Sequence, residues 1–325
     1  MIDCSAVRGF NYQPSRGTTS LENWYYFDAD LWELELRRGK DLFPGFNMVR
    51  YWLSWDAYAR RPEQFKANFE RSLQIADQLG IKVMPCLFNR WHDVSGYDNG
   101  GVYTENIALP EAWAYYRTKY ADFVADLAAD HVADGRIAIW DICNEPYSYT
   151  DLNERTWPLV APETEWLTEA YQILKRHDPD TPVGVSIHQH HERAGMEWIT
   201  PISDILLVHP YFICTPEQIF DQDHRDDYTA RVDRMVAYGK EVGKQLLATE
   251  TCWGALRDED RVEILRFTLG VLSERGIGFL AHALHYSLVA DLHNPEDGSV
   301  GHSYNLAFTT KTGAMRPGHE IFNQF

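Results

Sequence analysis

Residues 137–148 of the chain read Ile-Ala-Ile-Trp-Asp-Ile-Cys-Asn-Glu-Pro-Tyr-Ser, and this stretch decides the fold. Its apolar run is rich in Ile and Trp and is too short for a helix, so it predicts a buried strand. Pro146 stops any regular continuation directly after Asn144 and Glu145. Because a carboxylate at the mouth of a buried strand is costly unless it is used or paired, we expect Glu145 to have a function.

A second apolar run further along the chain also ends on a glutamate. Residues 244–253 read Lys-Gln-Leu-Leu-Ala-Thr-Glu-Thr-Cys-Trp, which predicts a strand that delivers Glu250. Two carboxyl groups at the ends of buried strands suit acid–base and nucleophilic catalysis. We therefore interpret Glu145 and Glu250 as a pair of catalytic residues.

Length and charge limit the possible functions. The chain has 325 residues with 45% hydrophobic content, and an α/β barrel needs about 250 residues or more, so we expect one domain over residues 1–325. A net charge of −18, from 48 acidic and 30 Lys and Arg side chains, argues against nucleic acid and anionic membranes as partners. The five cysteines are odd in number and lack paired spacing, so we expect buried thiols without a disulfide framework.

The N-terminus carries no apolar signal segment, and no run approaches the roughly 18 apolar residues of a membrane span. On this basis we expect a cytoplasmic protein, although a secreted protein that had lost its leader would read the same. The aromatic content of 14% is high. Aromatic faces that pack on sugar rings would explain it, and a heavily aromatic core is the alternative.

Strand and helix patterns alternate from one end of the chain to the other, which is typical of an α/β fold. Eight alternations favour a (β/α)8 barrel, with a doubly wound open sheet as the alternative. The predicted strands are Val7–Tyr12, Phe46–Trp52, Ile81–Phe88, Arg136–Cys143, Val183–Ile187, Asp204–His209, Gln245–Glu250 and Ile277–Tyr286. The predicted helices are Asp30–Phe43, Pro62–Leu79, Glu111–Val132, Pro162–His177, Glu192–Ile199, Tyr228–Val242, a helix marked by Val262, Leu265, Leu269 and Leu272, and Pro317–Phe325.

Loop lengths decide between the two architectures. Connections from helix to strand are short turns such as Gly80 and Asp134-Gly135, whereas several connections from strand to helix are long. Long loops gathered at the carboxyl ends of the strands are where barrel enzymes keep their active sites, so the barrel is favoured. The long loops are Asn89–Pro110, Pro146–Ala161, Pro210–Asp227 and Ser287–Arg316.

The residues at the strand ends resemble those of clan A retaining glycoside hydrolases, and most closely the cellulase-like glycoside hydrolase family 5. Each residue alone could be structural, for example an ion-pair partner or part of a rigid turn. Their joint placement on strands two, four, six and seven favours catalysis. In chain order the matching residues are Arg50, Asn144-Glu145-Pro146, His209-Pro210-Tyr211 and Glu250.

The resemblance implies that Glu250 is the nucleophile and that Glu145 is the acid/base. Retaining cleavage needs two carboxyl groups about 5–5.5 Å apart, one ionised to attack and one protonated to supply a proton. We expect Arg50 and Tyr211 to hold Glu250 ionised and aligned through charge-assisted hydrogen bonds. The resemblance places His209 beside the same subsite.

Glu145 needs the opposite environment, in which water is excluded and the carboxyl group keeps its proton. Trp140 and Tyr147 are the aromatic residues expected to provide it. Asn144 would bind the sugar 2-hydroxyl, a contact that strengthens in the transition state.

The end of the eighth strand departs from the family, which usually places a Trp there as a floor for the sugar. The sequence reads Ala-His-Ala-Leu-His-Tyr-Ser in this region. We expect His285 or Tyr286 to substitute, or Trp253 just after the nucleophile. After the third strand, Trp91 and His92 are candidate sugar ligands, and packing under the loop is their alternative role.

His188, His190 and His191 follow the fifth strand and could suggest a metal site. Catalytic zinc takes about three protein ligands, but no His-Glu-x-x-His or paired cysteine motif supports one here. Hydrogen bonding to sugar or surface exposure is the favoured interpretation, and we expect no metal and no cofactor. The acidic run between residues 221 and 227 is predicted to be a solvated loop.

The leading hypothesis is a retaining β-glycosidase that acts from the chain end on small β-linked oligosaccharides or glycosides of the β-mannoside or β-glucoside type. The long loops after strands three and eight would then close one end of the cleft. An endo-acting β-glycanase, resembling a mannanase or cellulase, is the alternative. A non-catalytic carbohydrate-binding barrel and a metal-dependent hydrolase or isomerase are hypotheses from other classes. The sugar, the linkage and the oligomeric state stay open.

Overall fold

A closed barrel of eight parallel strands forms the centre of the molecule. The computed structural model describes residues 2–91, 100–148, 157–287 and 306–325. Each strand pairs in parallel with its sequence neighbours, and β1 closes the barrel against β8. The predicted (β/α)8 barrel is therefore confirmed. The strands are β1 (Arg8–Asn11), β2 (Met48–Trp52), β3 (Lys82–Asn89), β4 (Trp140–Asn144), β5 (Val183–His188), β6 (Leu206–His209), β7 (Leu246–Thr251) and β8 (Gly278–Ala281).

Helices surround the barrel in the described part of the chain. They are α1 (Ser20–Tyr25), α2 (Ala29–Leu42), α3 (Trp55–Arg60), α4 (Pro62–Gln78), α5 (Thr104–Ala108), α6 (Pro110–Asp130), α7 (Trp157–His177), α8 (Glu192–Ile199), α9 (Gln222–Val242) and α10 (Asp258–Glu274). Short 3-10 helices lie at Cys4–Ala6, Gln189–His191, Thr200–Ile202, Pro216–Gln218 and His319–Gln324. None of the described helices is both long enough and apolar enough to cross a membrane.

Two helix starts differ from the prediction. Helix α7 begins at Trp157, so Pro162 lies inside the helix, where its missing N–H removes one helical hydrogen bond without ending the helix. Helix α9 begins at Gln222 because the Asp221 side chain caps it by accepting a hydrogen bond from the backbone N–H of His224. The acidic run predicted as a loop is therefore a helix cap followed by the first turns of α9.

Two predicted elements near the C-terminus are also corrected. Strand β8 ends at Ala281, five residues before the predicted end at Tyr286, and the backbone N–H of Ala283 already bonds to the carbonyl of Leu306 outside the barrel strands. The closing helix is a 3-10 helix over His319–Gln324.

Apolar side chains fill the lower part of the barrel, and polar side chains fill the upper part. Met48, Met84 and Leu207 belong to a buried apolar cluster inside the barrel. Side chains on one face of a strand recur every second residue, so the next inward positions lie one step closer to the carboxyl ends. Those next positions are occupied by Arg50, Cys86 and His209, all buried, among other polar groups. A polar layer therefore lies directly beneath the mouth of the barrel.

The two strands that carry the predicted glutamates are both irregular. The pairing of β4 with β5 shifts register between Asp141 and Asn144. The pairing of β7 with β8 shifts between Ala248 and Thr251. Such shifts re-aim side chains and are common next to active sites.

All five cysteines are free, and four of them are buried. This agrees with the expectation of thiols without a disulfide framework.

The aromatic layer outside β1 should contribute strongly to stability. Phe10 is fully buried and contacts the rings of Phe43, Phe46, Phe308 and Phe322 at centroid distances of 4.3 to 5.2 Å. Truncation to alanine leaves a cavity that costs about 3–5 kcal/mol, so Phe10→Ala should lower the free energy of unfolding by that amount.

Chemical denaturation of the Phe10→Ala variant measures this loss. The matched control is Phe220→Ala, because Phe220 is 66% exposed and its loss should be nearly neutral. Equal stability of the two variants would contradict the packing assignment.

Candidate active site

Strand β4 ends at Asn144 and presents Glu145 at the mouth of the barrel. Glu145 has a backbone φ of 47°, in the left-handed region that costs a residue with a β-carbon conformational energy. Its backbone N–H donates a hydrogen bond of 2.9 Å to the carbonyl of Ser186 on β5, which fixes this conformation. The glutamate is 1% exposed. The strained backbone therefore orients a buried carboxyl group at the end of β4.

Strand β7 presents Glu250 from the other side of the mouth. The Arg50 guanidinium donates to Oε1 of Glu250 at 2.6 Å, and the Tyr211 hydroxyl donates to Oε2 at 2.9 Å. Both carboxylate oxygens are thus held by donors, so the orientation of Glu250 is fixed.

His209 on β6 lies between the two glutamates. Its Nδ1 is 2.5 Å from Oε1 of Glu145 and 3.7 Å from Oε2 of Glu250. One oxygen of each glutamate and a ring nitrogen of His209 all lie within 4.8 Å of one another. Inverting glycosidases keep their carboxyl groups about 6.5–9.5 Å apart to admit a water, whereas retaining ones use about 5–5.5 Å. The close approach of the two glutamates suits direct attack by one of them.

Arg50 is fully buried and connects β1, β2, β4, β5 and β7. A guanidinium carries five N–H groups, and five oxygens lie within hydrogen-bonding distance of them. Nε donates to Asp141, Nη1 to Asn11 and Glu250, and Nη2 to Asn144 and Ser186, at 2.6 to 3.0 Å. The N–H groups of Arg50 are therefore all used in hydrogen bonds to protein oxygens.

The electrostatics of this cluster keep Glu250 ionised. Burial alone would raise the pKa of Glu250, but the charges of His209, Arg50 and His282 outweigh it and lower the pKa to about 2. Burial would likewise lower the pKa of Arg50, but the charges of Asp141 and Glu250 raise it above its usual value. Burial and Glu250 raise the pKa of Tyr211 well above 10.0, so its hydroxyl stays a donor. Glu250 is a carboxylate over the whole neutral range.

Asn144 is fixed at both ends of its side chain. Its Oδ1 accepts from Arg50 at 2.7 Å, and its Nδ2 donates to Oδ1 of Asn89 at 2.9 Å. A side-chain amide has two N–H donors, so one further hydrogen bond is possible. Its contact with a sugar hydroxyl stays a prediction.

The other predicted sugar ligands lie in different surroundings. Trp253 is half-buried, and its ring meets the ring of Tyr211 edge-on at 5.4 Å, which places it at the nucleophile. His285 is 3% exposed and lies 3.7 Å from Glu35 and 3.4 Å from Arg38, behind β8. The ring of Tyr286 lies under the ammonium group of Lys311. Trp91 is half-buried after β3, and His92 lies outside the described residues. Their roles in sugar binding stay predictions.

His282 is a site residue that the sequence analysis did not select. Its backbone N–H donates to the carbonyl of Thr251, and its carbonyl accepts from Arg261 at 2.9 Å. Its ring meets Trp52 edge-on at 6.0 Å and acts electrostatically on Glu250. The predicted eighth strand ran past this residue to Tyr286. The true strand end at Ala281 places His282 at the mouth of the barrel.

Several buried polar atoms around the glutamates have no hydrogen-bond partner among the described residues. Buried polar groups are nearly always paired, so these unpaired atoms are candidate contacts for a polar ligand. These atoms are Oε2 of Glu145, Nε2 of His209, Oγ1 of Thr249, Nε1 of Trp253 and Nδ1 of His282.

Two groups of three possible metal ligands occur in the described part of the chain. One consists of Glu70, His131 and Asp134, but Arg136 forms ion pairs with both carboxylates there and neutralises them. The other is formed by the two mouth glutamates and His209. The histidines after β5 belong to neither of these groups.

Comparisons with known proteins agree with the family resemblance. The model of the family Cellulase (glycosyl hydrolase family 5) matches residues 43–287. A protein named probable mannan endo-1,4-beta-mannosidase C, from Aspergillus terreus (strain NIH 2624 / FGSC A1156), is 29% identical over 122 residues. That alignment covers 34% of this chain and 29% of the relative, well under two thirds of the relative's length.

Solved structures share the fold. The exo-beta-1,4-mannosidase Op5Man5 from Opitutaceae bacterium strain TAV5 superposes with a TM-score of 0.73 at 17% identity, over 97% of this chain and 58% of that one. The hyperthermostable endo-1,4-beta-D-mannanase from Thermotoga petrophila RKU-1 gives 0.66 at 15% identity, over 98% of each chain. At these identities the structures support the barrel fold.

The contact between Tyr211 and Glu250 generates a prediction. A hydrogen bond to a charged group contributes about 1.5–3 kcal/mol, so Tyr211→Phe should lower kcat by about tenfold to a hundredfold. Removal of a donor to the ionised carboxylate also raises the pKa of Glu250, so the acid limb of the pH–rate profile should move to higher pH. Steady-state kinetics across pH measure both effects.

Tyr228→Phe is the matched control. Its hydroxyl is also buried, but it donates to the carbonyl of Pro210 and does not reach Glu250. The control should change stability and leave both kcat and the acid limb in place. A Tyr211→Phe enzyme with unchanged kcat and pH profile would show that Tyr211 is only a packing residue.

Proposed function

Because the chain belongs to glycosyl hydrolase family 5, we propose that it is a retaining β-glycosidase with residues 1–325 as its catalytic domain. Family members are glycoside hydrolases, so carbohydrate is the substrate class. The observation that supports the mechanism most directly is the pair Glu145 and Glu250, with oxygens within 4.8 Å and only one of them held by a guanidinium.

Glu250 is the nucleophile in the first step. Its ionised oxygen attacks the anomeric carbon, and the bond from that carbon to the leaving oxygen breaks. Glu145 supplies its proton to the leaving oxygen, which departs as a hydroxyl group. The product of this step is a glycosyl ester on Glu250.

A water molecule reverses these events in the second step. Glu145, now a carboxylate, removes a proton from the water, whose oxygen attacks the anomeric carbon and releases Glu250. His209 is hydrogen-bonded to Glu145 at 2.5 Å and can share the proton that moves in each step. The sugar leaves with its original anomeric configuration.

Arg50 positions Glu250 and does not contact the sugar in this mechanism, because its five N–H groups are bonded to protein oxygens. Sugar hydroxyls are assigned to the unpaired polar atoms of His209, Trp253 and His282. The second N–H of Asn144 is assigned to the 2-hydroxyl, where a hydrogen bond strengthens in the transition state.

The proposed substrates are small β-linked oligosaccharides or glycosides of the β-mannoside or β-glucoside type, cleaved from the chain end. The similarity to proteins named mannosidases and mannanases supports mannose as the first sugar to test. Endo-action on a glycan is the second candidate, and it is favoured by the relative named mannan endo-1,4-beta-mannosidase. A cytoplasmic location stays a prediction.

Replacement of the two glutamates should separate their roles. Glu250→Ala should abolish turnover of every substrate, because no glycosyl ester can form. Glu145→Ala should spare the first step for an aryl glycoside with a good leaving group, because such a group needs little protonation. Burst kinetics with dinitrophenyl and unactivated β-glycosides measure the difference, and proton NMR of the first product anomer tests retention.

Glu111→Ala is the control, because Glu111 is exposed on α6. This substitution should leave the activity on both substrates unchanged. If both catalytic variants kept similar residual activity on the activated and the unactivated glycoside, the assignment of nucleophile and acid would fall. An inverted first product would remove the retaining mechanism.

The mode of action can be read from early products. An enzyme that admits one terminal sugar should release monosaccharide from a β-1,4-linked tetrasaccharide in the first minutes. Chromatography of a time course, first with mannotetraose and then with cellotetraose, measures this. Early disaccharide and trisaccharide without monosaccharide would contradict exo-action and favour the endo-acting alternative.

A further inference from the structure

The histidines after β5 lie at the mouth of the barrel next to the proposed acid. His188 ends β5 and is the registered partner of His209 on β6. Side chains of paired residues on neighbouring parallel strands lie on the same side of the sheet. Since His209 contacts Glu145 and Glu250 inside the mouth, His188 faces the same space.

The rings of the three histidines contact one another in tilted arrangements, with interplanar angles of 46° and 49°. Ring centroids are 4.2 Å apart between His188 and His190 and 3.9 Å apart between His190 and His191. His191 is buried against Trp198 at 5.3 Å, and Trp198 packs on Tyr147, two residues after Glu145. The row of rings thus runs from the buried His191, in an aromatic cluster beside Glu145, through the exposed His190 to the half-buried His188.

The backbone of this segment is also fixed relative to the catalytic groups. The side-chain oxygen of Gln189 accepts from the backbone N–H of Tyr211 at 2.9 Å. Nδ1 of His188 accepts from the backbone N–H of His190 at 3.2 Å and also contacts Nδ1 of His190. The two Nδ1 atoms therefore face each other, which leaves the Nε2 atoms for other partners.

Burial favours the neutral form of two of these imidazoles, His190 and His191. Burial and the neighbouring His188 lower the pKa of His190, while the charge of Glu145 opposes the change. Burial and the other histidines lower the pKa of His191 to about 3. A neutral imidazole offers donor and acceptor nitrogens, which suits hydroxyl groups and not an anion.

The position of the three histidine rings relative to Glu145 decides which part of a substrate they meet. β5 is the neighbour of β4, whereas β8, which leads to His282, lies across the closed barrel from β4. The leaving group must lie beside the proton donor, so it lies on the β4 and β5 side. The sugar that reacts lies towards Trp253 and His282.

We propose that His188 and His190 form the leaving-group subsite and that this subsite binds a second sugar unit through its hydroxyls. This inference rests on the proposed function. The Nε2 atoms of the two histidines bond to hydroxyls of the departing sugar, and the backbone contacts of this segment hold the rings in place. The enzyme is then adapted to β-linked disaccharides and longer oligosaccharides, and less to glycosides with small or apolar leaving groups.

The test compares two substrates that share one reacting sugar, first mannose and then glucose. A β-linked disaccharide fills the leaving-group subsite, whereas the β-glycosyl fluoride has a leaving group of one atom and leaves it empty. His190→Ala should lower kcat/KM for the disaccharide by about tenfold, the loss expected for one or two hydrogen bonds. The fluoride value should stay within about twofold of wild type.

His190→Phe separates hydrogen bonding from ring packing, because a phenyl ring can keep the ring contacts and lacks both nitrogens. It should lose the disaccharide activity as His190→Ala does. His177→Ala is the matched control, since His177 ends α7 and precedes β5 at the opposite end of the barrel. It should leave both substrates unaffected.

Equal losses on the two substrates, or no loss on the disaccharide, would overturn the subsite. Full disaccharide activity in His190→Phe would overturn the hydrogen-bonding role. A wild-type enzyme inert towards both substrates would instead refute the proposed function itself, so the two failures are distinguishable.

Discussion

The mouth of the barrel depends on one buried cation, the guanidinium of Arg50. An ion taken out of water costs several kcal/mol, and a buried pair repays that cost only when its geometry is good and its hydrogen bonds are complete. Arg50 meets both conditions, because Asp141 and Glu250 provide negative charge and Asn11, Asn144 and Ser186 provide the remaining acceptors. Five strands of the barrel are joined through this one side chain.

The same cation makes two identical residues chemically different. Glu250 is bonded to Arg50 and Tyr211, so the ionised form is strongly favoured. Glu145 contacts His209 through one oxygen, and its other oxygen has no partner among the described residues. Their different surroundings thus make Glu250 an ionised attacking group and Glu145 a group able to exchange a proton. The distance between them suits a covalent intermediate.

The sequence was sufficient for the barrel and for its two mouth glutamates, because apolar runs of strand length that end on Glu are rare and physically costly. It was less informative wherever a single residue sets a boundary. Pro162 indicated a helix start but lies inside α7, and the polar run after Asp221 resembled a loop but begins α9. His282 was missed because local pattern cannot show where β8 leaves the barrel. The contact of Arg50 with Glu250 was expected from the family resemblance, but its other partners come from distant segments, and no local spacing predicts such contacts.

Because every N–H group of Arg50 is hydrogen-bonded to the protein, its partners limit how such a protein can evolve. A change at Asn11, Asp141, Asn144 or Ser186 would leave a buried donor without an acceptor, so substitutions at these positions are tolerated only with compensating ones. His190 and Trp253 touch no atom of that network in the described structure. Substitutions at positions such as His190 and Trp253 can therefore alter which sugars the enzyme accepts without disturbing the Arg50 network. Mutant libraries aimed at new substrates should be directed at these positions.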